Sequence, residues 1–288
     1  MTSLLLLFCV GALQGDALLV ATDDLQSLEN TLVVDTRTTK DFEAGHIPGA
    51  AHLEVGSLSE TRDGVAGMLK PTDALSKALG AAGVDPAKHI VVYCGMATAD
   101  DFKDAARLFW ILEYVGYEQV SILDGGFAKW QAGGRPIEKG GSKVAAVPTP
   151  KLTLKPELLA TYEEVEAAAG SGQSCVADLR SADYYRGEKK AEIAQKAGHI
   201  PGSSNLPAED FIAENRTVKL LPELEALVSS DGITKDKPVI TYCNSGRSAS
   251  VGYFMLRRLG REHVSMYDGS MAEWTAKDKP VETGAEKK

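Results

Sequence analysis

The apolar positions of this chain fall into short runs of two different periods, and the two kinds alternate. Thr31–Asp35, His89–Tyr93 and Val120–Leu123 are β-branched, aromatic or leucine-rich runs of strand length. Between them, residues 73–82 and 105–114 carry apolar side chains at helical spacing, the pattern of amphipathic helices. Further on, Lys237-Pro-Val-Ile-Thr-Tyr-Cys-Asn-Ser-Gly-Arg-Ser-Ala-Ser250 reads as strand, tight loop and helix start, with the helix continuing over 251–259. Short strands separated by helices predict an α/β fold: a mainly parallel sheet covered by helices on both faces. Ligands of such sheets bind at the carboxyl ends of the strands, where Cys94 and Cys243 fall.

The pattern is duplicated. Val-Val-Asp-Thr-Arg37 recurs as Val-Ala-Asp-Leu-Arg180, and Gly-His-Ile-Pro-Gly49 as Gly-His-Ile-Pro-Gly202. Val-Val-Tyr-Cys94 recurs as Ile-Thr-Tyr-Cys243, and Asp-Gly-Gly-Phe-Ala-Lys-Trp130 as Asp-Gly-Ser-Met-Ala-Glu-Trp274. An offset of about 150 residues is too long for a solenoid unit and suits a repeated domain. Two tandem domains are therefore expected, over residues 16–139 and 156–288, joined by a Gly- and Pro-rich linker at 140–155. A length of 288 residues, 44% hydrophobic and 25% charged, fits two such cores. Residues 1–15 combine a short apolar run with small residues and read as a signal peptide, although no Lys or Arg precedes the run. Export to the periplasm or the medium is the expectation, with the cytoplasm as the alternative. The run is too short to span a membrane. A net charge of −9 without a basic patch argues against a nucleic-acid partner, yet a local cluster can still bind a small anion. Nothing in the sequence specifies an oligomeric state.

Four cysteines, one of them Cys9 in the leading segment, leave Cys94, Cys175 and Cys243. An odd number makes no disulfide framework, and the spacings are not those of a zinc site. Cys243 ends a strand just before a helix N-terminus, where unpaired N–H groups and the helix dipole favour a thiolate. Gly246 lets the loop curl, Asn244, Ser245 and Ser248 are short enough not to fill it, and Arg247 is its only cation. Three residues separate Cys243 from Arg247, fewer than cysteine phosphatases use, so the loop suits one sulfur rather than a phosphoryl group. Cys94 is followed by a longer stretch carrying Asp100, Asp101 and Asp104 and no equivalent of Arg247, so it is expected to be silent. Arg180 is a candidate anion binder, but the recurrence of Asp35 with Arg37 and Asp178 with Arg180 favours loop-ordering ion pairs. His46 and His199 read as turn residues, and Trp130 and Trp274 as core anchors.

Taken in order, these pieces resemble the rhodaneses, the thiosulfate and mercaptopyruvate sulfurtransferases. The resemblance implies two doubly wound domains, a persulfide on Cys243, a small anionic sulfur donor (thiosulfate or 3-mercaptopyruvate) and a thiophilic acceptor such as cyanide or a thiol. It implies no metal or organic cofactor. Two-domain relatives carry a substrate-binding basic residue shortly after Asp-x-Arg. Its usual place is Tyr184 here, and Arg186, two positions on, is the candidate. The loop lacks the second cation of the thiosulfate enzymes' Cys-Arg-Lys-Gly and shares only Ser245 and Gly246 with the mercaptopyruvate enzymes, whereas Arg247 is similar to single-domain rhodaneses. The donor stays open between the two. Outside this reading stand a sulfur carrier that binds a persulfide without turnover and, disfavoured by the short loop, a cysteine phosphatase or arsenate reductase.

Overall fold

Two parallel sheets of one topology carry the chain in the computed structural model, which describes residues 17–284. The expected leading segment, 1–15, lies outside the described residues. In chain order the strands of the first half are β1 (Leu19–Val20), β2 (Thr31–Asp35), β3 (Ala51–His52), the hairpin β4 (Ser59–Arg62) and β5 (Val65–Leu69), β6 (His89–Tyr93) and β7 (Val120–Leu123). Those of the second are β8 (Leu159–Ala160), β9 (Cys175–Asp178), β10 (Ser204–Asn205), β11 (Val239–Tyr242) and β12 (Val264–Tyr267). The first sheet runs β1-β7-β6-β2-β3 and the second β8-β12-β11-β9-β10, so strand for strand they correspond. The β4–β5 hairpin pairs antiparallel, and its place in the second half is taken by a shorter turn closed by a single antiparallel bridge between Ile212 and Val218.

The three predicted strands of the first half have the expected bounds, whereas two helices begin earlier than their apolar periodicity implies. The helix placed at 105–114 spans Phe102–Tyr114 and is preceded by a 3-10 turn at Ala99–Asp101. Asp101 accepts from the N–H of Thr98 at 3.1 Å and from its hydroxyl at 3.0 Å, which winds the acidic stretch into a helical turn and shortens the loop after Cys94. The helix placed at 251–259 spans Arg247–Arg258, because Gly246 in the left-handed region (φ 81°) turns the chain straight into it.

Strand alternation decides where the cysteines face. Val91 and Tyr93 pack with Trp130, and Ile240 and Tyr242 with Trp274, on the outer face of each sheet. Ile90, Val92 and Cys94, like Val239 and Cys243, point the other way, into one core common to both halves. That core is built on the helices Phe102–Tyr114 and Arg247–Arg258. Phe254 lies edge-on to Phe109 at 4.9 Å and tilted against Phe102 at 5.6 Å. Where the two helices leave polar groups inside, they pair them: the Tyr253 hydroxyl donates to Glu113 at 2.7 Å and Arg257 to the same carboxylate at 3.1 Å.

The recurring motifs are structural in both halves. Trp130 and Trp274 donate their indole N–H to the carbonyls of Pro136 and Pro280, each at 2.8 Å. His46 and His199 stack on Phe42 and Tyr185 and donate to those residues' carbonyls, at 2.9 and 2.7 Å. The hydroxyls of Tyr93 and Tyr242 accept from Ile47 and Ile200 in the Gly-His-Ile-Pro-Gly turns.

Burial, and after it the carboxylates of Asp35, Asp178, Glu113 and Glu273, raises the pKa of Tyr93, Tyr242, Tyr253 and Tyr267 respectively. In the unfolded chain these phenols ionise near pH ~10. Above that pH the folded state holds more protons than the unfolded one, so stability falls as pH rises. Urea unfolding followed from about pH 8 to 11 should therefore show a midpoint that drops past pH ~10. A midpoint flat to pH ~11 would contradict the burial of these phenols.

Candidate active site

Cys243 is buried at the carboxyl end of β11 and is stitched to the turn that opens the helix Ser270–Ala276. Its carbonyl accepts from Met271 N–H at 3.0 Å, and the carbonyl of Asn244 accepts from Ala272 at 3.1 Å. The first half repeats this, with Cys94 and Gly95 accepting from Phe127 and Ala128 at 2.9 and 3.0 Å. One difference separates the copies. Where the first half has Gly126 at φ 51°, the second has Ser270 at φ 49°, a conformation that costs a non-glycine residue energy. The Ser270 hydroxyl accepts from Cys243 N–H at 3.1 Å and donates to Tyr267 at 2.8 Å, so the strained position supplies an anchor behind the cysteine. The change of Asp-Gly-Gly to Asp-Gly-Ser was its only trace in the sequence.

Beyond Cys243 the backbone stops pairing. Among the described residues nothing accepts from the N–H groups of residues 244–248. The first bond of the new helix runs from Ser250 N–H to Gly246 at 3.2 Å. Five successive free donors beside a buried cysteine, at the positive end of a helix of twelve residues, make a site for an anion or a sulfur-borne charge.

A cavity of about 450 Å³ opens beside this loop. The second half lines it with Arg180, Ser181, Tyr184, Glu209, Asn244 and Ser248, among others, and the first half with Ala99, Asp100 and Lys103. Arg180 grips Asp178 through Nε and Nη2 and donates to Gly198 at 2.8 Å, as Arg37 grips Asp35 and donates to Gly45 at 2.7 Å. Only Arg180 also reaches the loop, with Nη1 3.5 Å from Asn244 Oδ1. Burial opposes its charge, yet Asp178, followed by Tyr242 and Cys243, more than offsets this and raises its pKa.

The other two arginines of the sequence reading stand elsewhere. Arg186 is exposed and forked onto Glu188, at 2.8 and 3.0 Å, outside the cavity. Arg247 is half exposed and turned to Asp104 of the first half, with Nε at 3.0 Å and Nη2 also bonded. Its charge is thus held against Asp104 of the first half, whereas the sequence placed it as the loop's own cation. The acidic residues after Cys94 also have partners of their own. Asp104 holds Arg247, Asp101 caps Thr98, and Asp100 pairs with Lys103 on the cavity wall. Sequence reasoning missed Gly67, Lys103 and Arg107, first-half residues around the second-half loop, and the pairing of Asp104 with Arg247. No local period or motif announces contacts across so long a stretch of chain.

Cys94 is placed differently. Burial, and then the charges of Asp101 and Asp104, pushes its thiol pKa far up. The buried Met96, at φ 57°, lies over the adjoining turn: a Cβ on Gly126 would meet its Cγ at 2.9 Å. None of the five histidines reaches Cys243. His46, His52, His89 and His199 are bonded to Phe42, Arg37, Ser121 and Tyr185, and exposed His263 precedes β12 at the opposite end of the sheet. Among the described residues no group of His, Cys, Asp and Glu is placed to hold a metal, and no helix is long and apolar enough to cross a membrane.

Comparison with known proteins agrees with this architecture. The 3-mercaptopyruvate sulfurtransferase of Escherichia coli K12 is 32% identical over 254 residues, which cover 86% of this chain and 87% of that protein. The human 3-mercaptopyruvate sulfurtransferase is 30% identical over 86% of this chain and 82% of its own. The thiosulfate sulfurtransferase of Azotobacter vinelandii is 30% identical over 92% and 97%. Among solved structures, SseA from Escherichia coli, described as a 3-mercaptopyruvate sulfotransferase, superposes with a TM-score of 0.78 at 28% identity, over 88% of this chain and 98% of that one. A variant of EanB in complex with ergothioneine gives 0.84 at 26%, over 96% and 72%. Residues 21–133 and 161–277 each match the model of the rhodanese-like domain, and with two sheets of one topology beneath them the chain belongs to the rhodanese family.

Proposed function

We propose that the protein is a sulfurtransferase in which Cys243 takes the outer sulfur of thiosulfate, holds it as a persulfide and passes it to a thiophilic acceptor such as cyanide or a thiol. The run of unpaired N–H groups at residues 244–248, directly after the buried Cys243, carries this reading. In the first step the Cys243 thiolate attacks the outer sulfur, the S–S bond of thiosulfate breaks, and its electron pair leaves with sulfite. In the second, the acceptor attacks the outer sulfur of Cys–S–S⁻ and the thiolate returns. One difficult transfer becomes two easier ones, and preorganised amides meet the charge on the bound sulfur in both.

The choice of thiosulfate rests on what leaves. Sulfite is a weak base and departs without a proton. Sulfur taken from 3-mercaptopyruvate leaves an enolate behind, whose carbon must be protonated to give pyruvate. With all five histidines bonded or placed elsewhere, the site favours a donor that needs no general acid. The donor's negative charge is met by Lys103. Its partner Asp100 is 65% exposed, and so open a pair is weak enough to exchange for a substrate anion. The Asp178–Arg180 pair, buried on both sides, is not free to exchange.

In a steady-state assay with cyanide as acceptor, kcat/KM for thiosulfate should exceed that for 3-mercaptopyruvate by about tenfold or more. The reverse order would overturn the donor assignment. Cys243→Ser should lower turnover to less than about a tenth of wild type, and mass spectrometry after thiosulfate should find one added sulfur, on the Cys243 peptide. Sulfur on the Cys94 peptide at equal yield would make this a two-site enzyme. Lys103→Ala should raise the thiosulfate KM by roughly three- to tenfold, while Arg247→Ala changes it by less than about twofold. Equal effects of the two would put Arg247 back at the anion.

A further inference from the structure

The loop that follows Cys243 is held from outside its own half. Three consecutive residues of it are backed by the first half, one by its hairpin and two by the helix Phe102–Tyr114. A Cβ added to Gly67, in β5, would lie 2.6 Å from the Cβ of Ser245, so hairpin and loop are in close contact there. A Cβ added to Gly246 would lie 2.6 Å from Arg107 Nη1 and 2.9 Å from Asp268 Oδ1. Arg247 is bonded to Asp104.

We infer that Arg107, on the helix Phe102–Tyr114, is a positioning residue for the Cys243 loop, an inference that deepens the proposed sulfur transfer and rests on it. Arg107 and Asp268 are both buried and meet at 2.6 Å between Nη2 and Oδ1, an ion contact rather than an aligned hydrogen bond. The second carboxylate oxygen accepts from Leu69 N–H at 2.7 Å, and Arg107 Nη2 lies 3.4 Å from the carbonyl of Gly67. The guanidinium rests over the Trp110 ring at 4.8 Å. Hairpin, helix and second-half turn thus converge on one ion pair lying against the α-carbon of Gly246.

A buried ion pair is a poor device for stability, since an apolar pair of like volume often serves as well. As a rigid stop behind a glycine at φ 81° it has a clear use. A loop whose amides must stay free for sulfur cannot brace itself with its own hydrogen bonds. Arg107 supplies the brace, so the half with the silent cysteine is part of the working site.

The test uses the full chain with Arg107→Met combined with Asp268→Asn. This removes both charges while Asn still accepts from Leu69 N–H. Unfolding, thiosulfate–cyanide kinetics and the rate of Cys243 alkylation by iodoacetamide are followed together. The double variant should fold and lower kcat by about tenfold or more with donor KM within about twofold, and Cys243 should alkylate more slowly. Arg107→Lys, which keeps the charge without the planar fork, should fall between it and wild type. Wild-type kcat and alkylation in a folded double variant, or in Arg107→Lys if the double variant fails to fold, would overturn the inference. If wild-type protein took no sulfur from thiosulfate, the function would fail, and the alkylation rates would still decide the role of Arg107.

Discussion

A loop that must keep its own backbone donors unpaired beside a buried cysteine is the constraint from which the rest of this structure follows. Strands and helix interiors are rigid because each N–H is spoken for; those of residues 244–248, in the loop and at the first turn of the helix, are not, and they lie beside a buried cysteine. Such a segment would collapse onto nearby carbonyls unless its shape were imposed by its surroundings. The imposition comes from three sides. Ser270 ties down the amide of Cys243, Gly246 starts the helix from the left-handed region, and the first half packs behind Ser245, Gly246 and Arg247. The free donors that suit the loop to sulfur and the interface that joins the halves are two consequences of one requirement.

Duplication supplied the parts for this arrangement, and the copies then diverged in a few positions. Gly126 against Ser270 decides whether the turn after the last central strand lends a hydroxyl to the cysteine. Met96 and the 3-10 turn at Ala99–Asp101 change the loop after Cys94, and the same turn brings Asp100, Lys103 and Asp104 round to the second-half site. The two helices that follow the cysteines pack on each other, so each cysteine end lies close to the other half. The antiparallel hairpin Ser59–Leu69, longer than the bridged turn Ile212–Val218 in its place in the second half, makes the asymmetry functional by reaching the Cys243 loop.

What could be read from the sequence follows from the range of the physics involved. Strands Thr31–Asp35, His89–Tyr93 and Val120–Leu123, the duplicated turns and the Cys243 loop are written in local periodicity and local residue choice. The strand Val65–Leu69 was not legible, because Val-Ala-Gly-Met-Leu has no alternating pattern and its glycine is explained only by Ser245, far along the chain. The helix start at Phe102 was hidden for a related reason. Acidic residues before an apolar run look like a solvated loop, yet Asp101 caps the turn that begins it. The ion pair of Arg247 with Asp104 was not legible, since nothing near Arg247 in sequence announces a partner in the first half. Arg186 was drawn to the site by its spacing from Asp178 and is held away by Glu188, two residues on.

The charge balance closes the argument. A chain of net charge −9, with Asp100 and Glu209 on the cavity wall, is an unpromising host for an anion if binding depends on side-chain cations. Its arginines near the site are already committed to Asp178 and Asp104, which removes long-range attraction as the principle of the site. Backbone amides at a helix start act differently. They are uncharged and fixed in direction, and they work over a few ångströms, where the surrounding acidity is a weak influence and the local geometry a strong one. How well such a site stabilises the charge on the transferred sulfur depends on how accurately the amides are held. That is why so much of the first half is given over to bracing the second, and why a glycine, a buried ion pair and a strained serine, rather than a cluster of lysines, surround the loop.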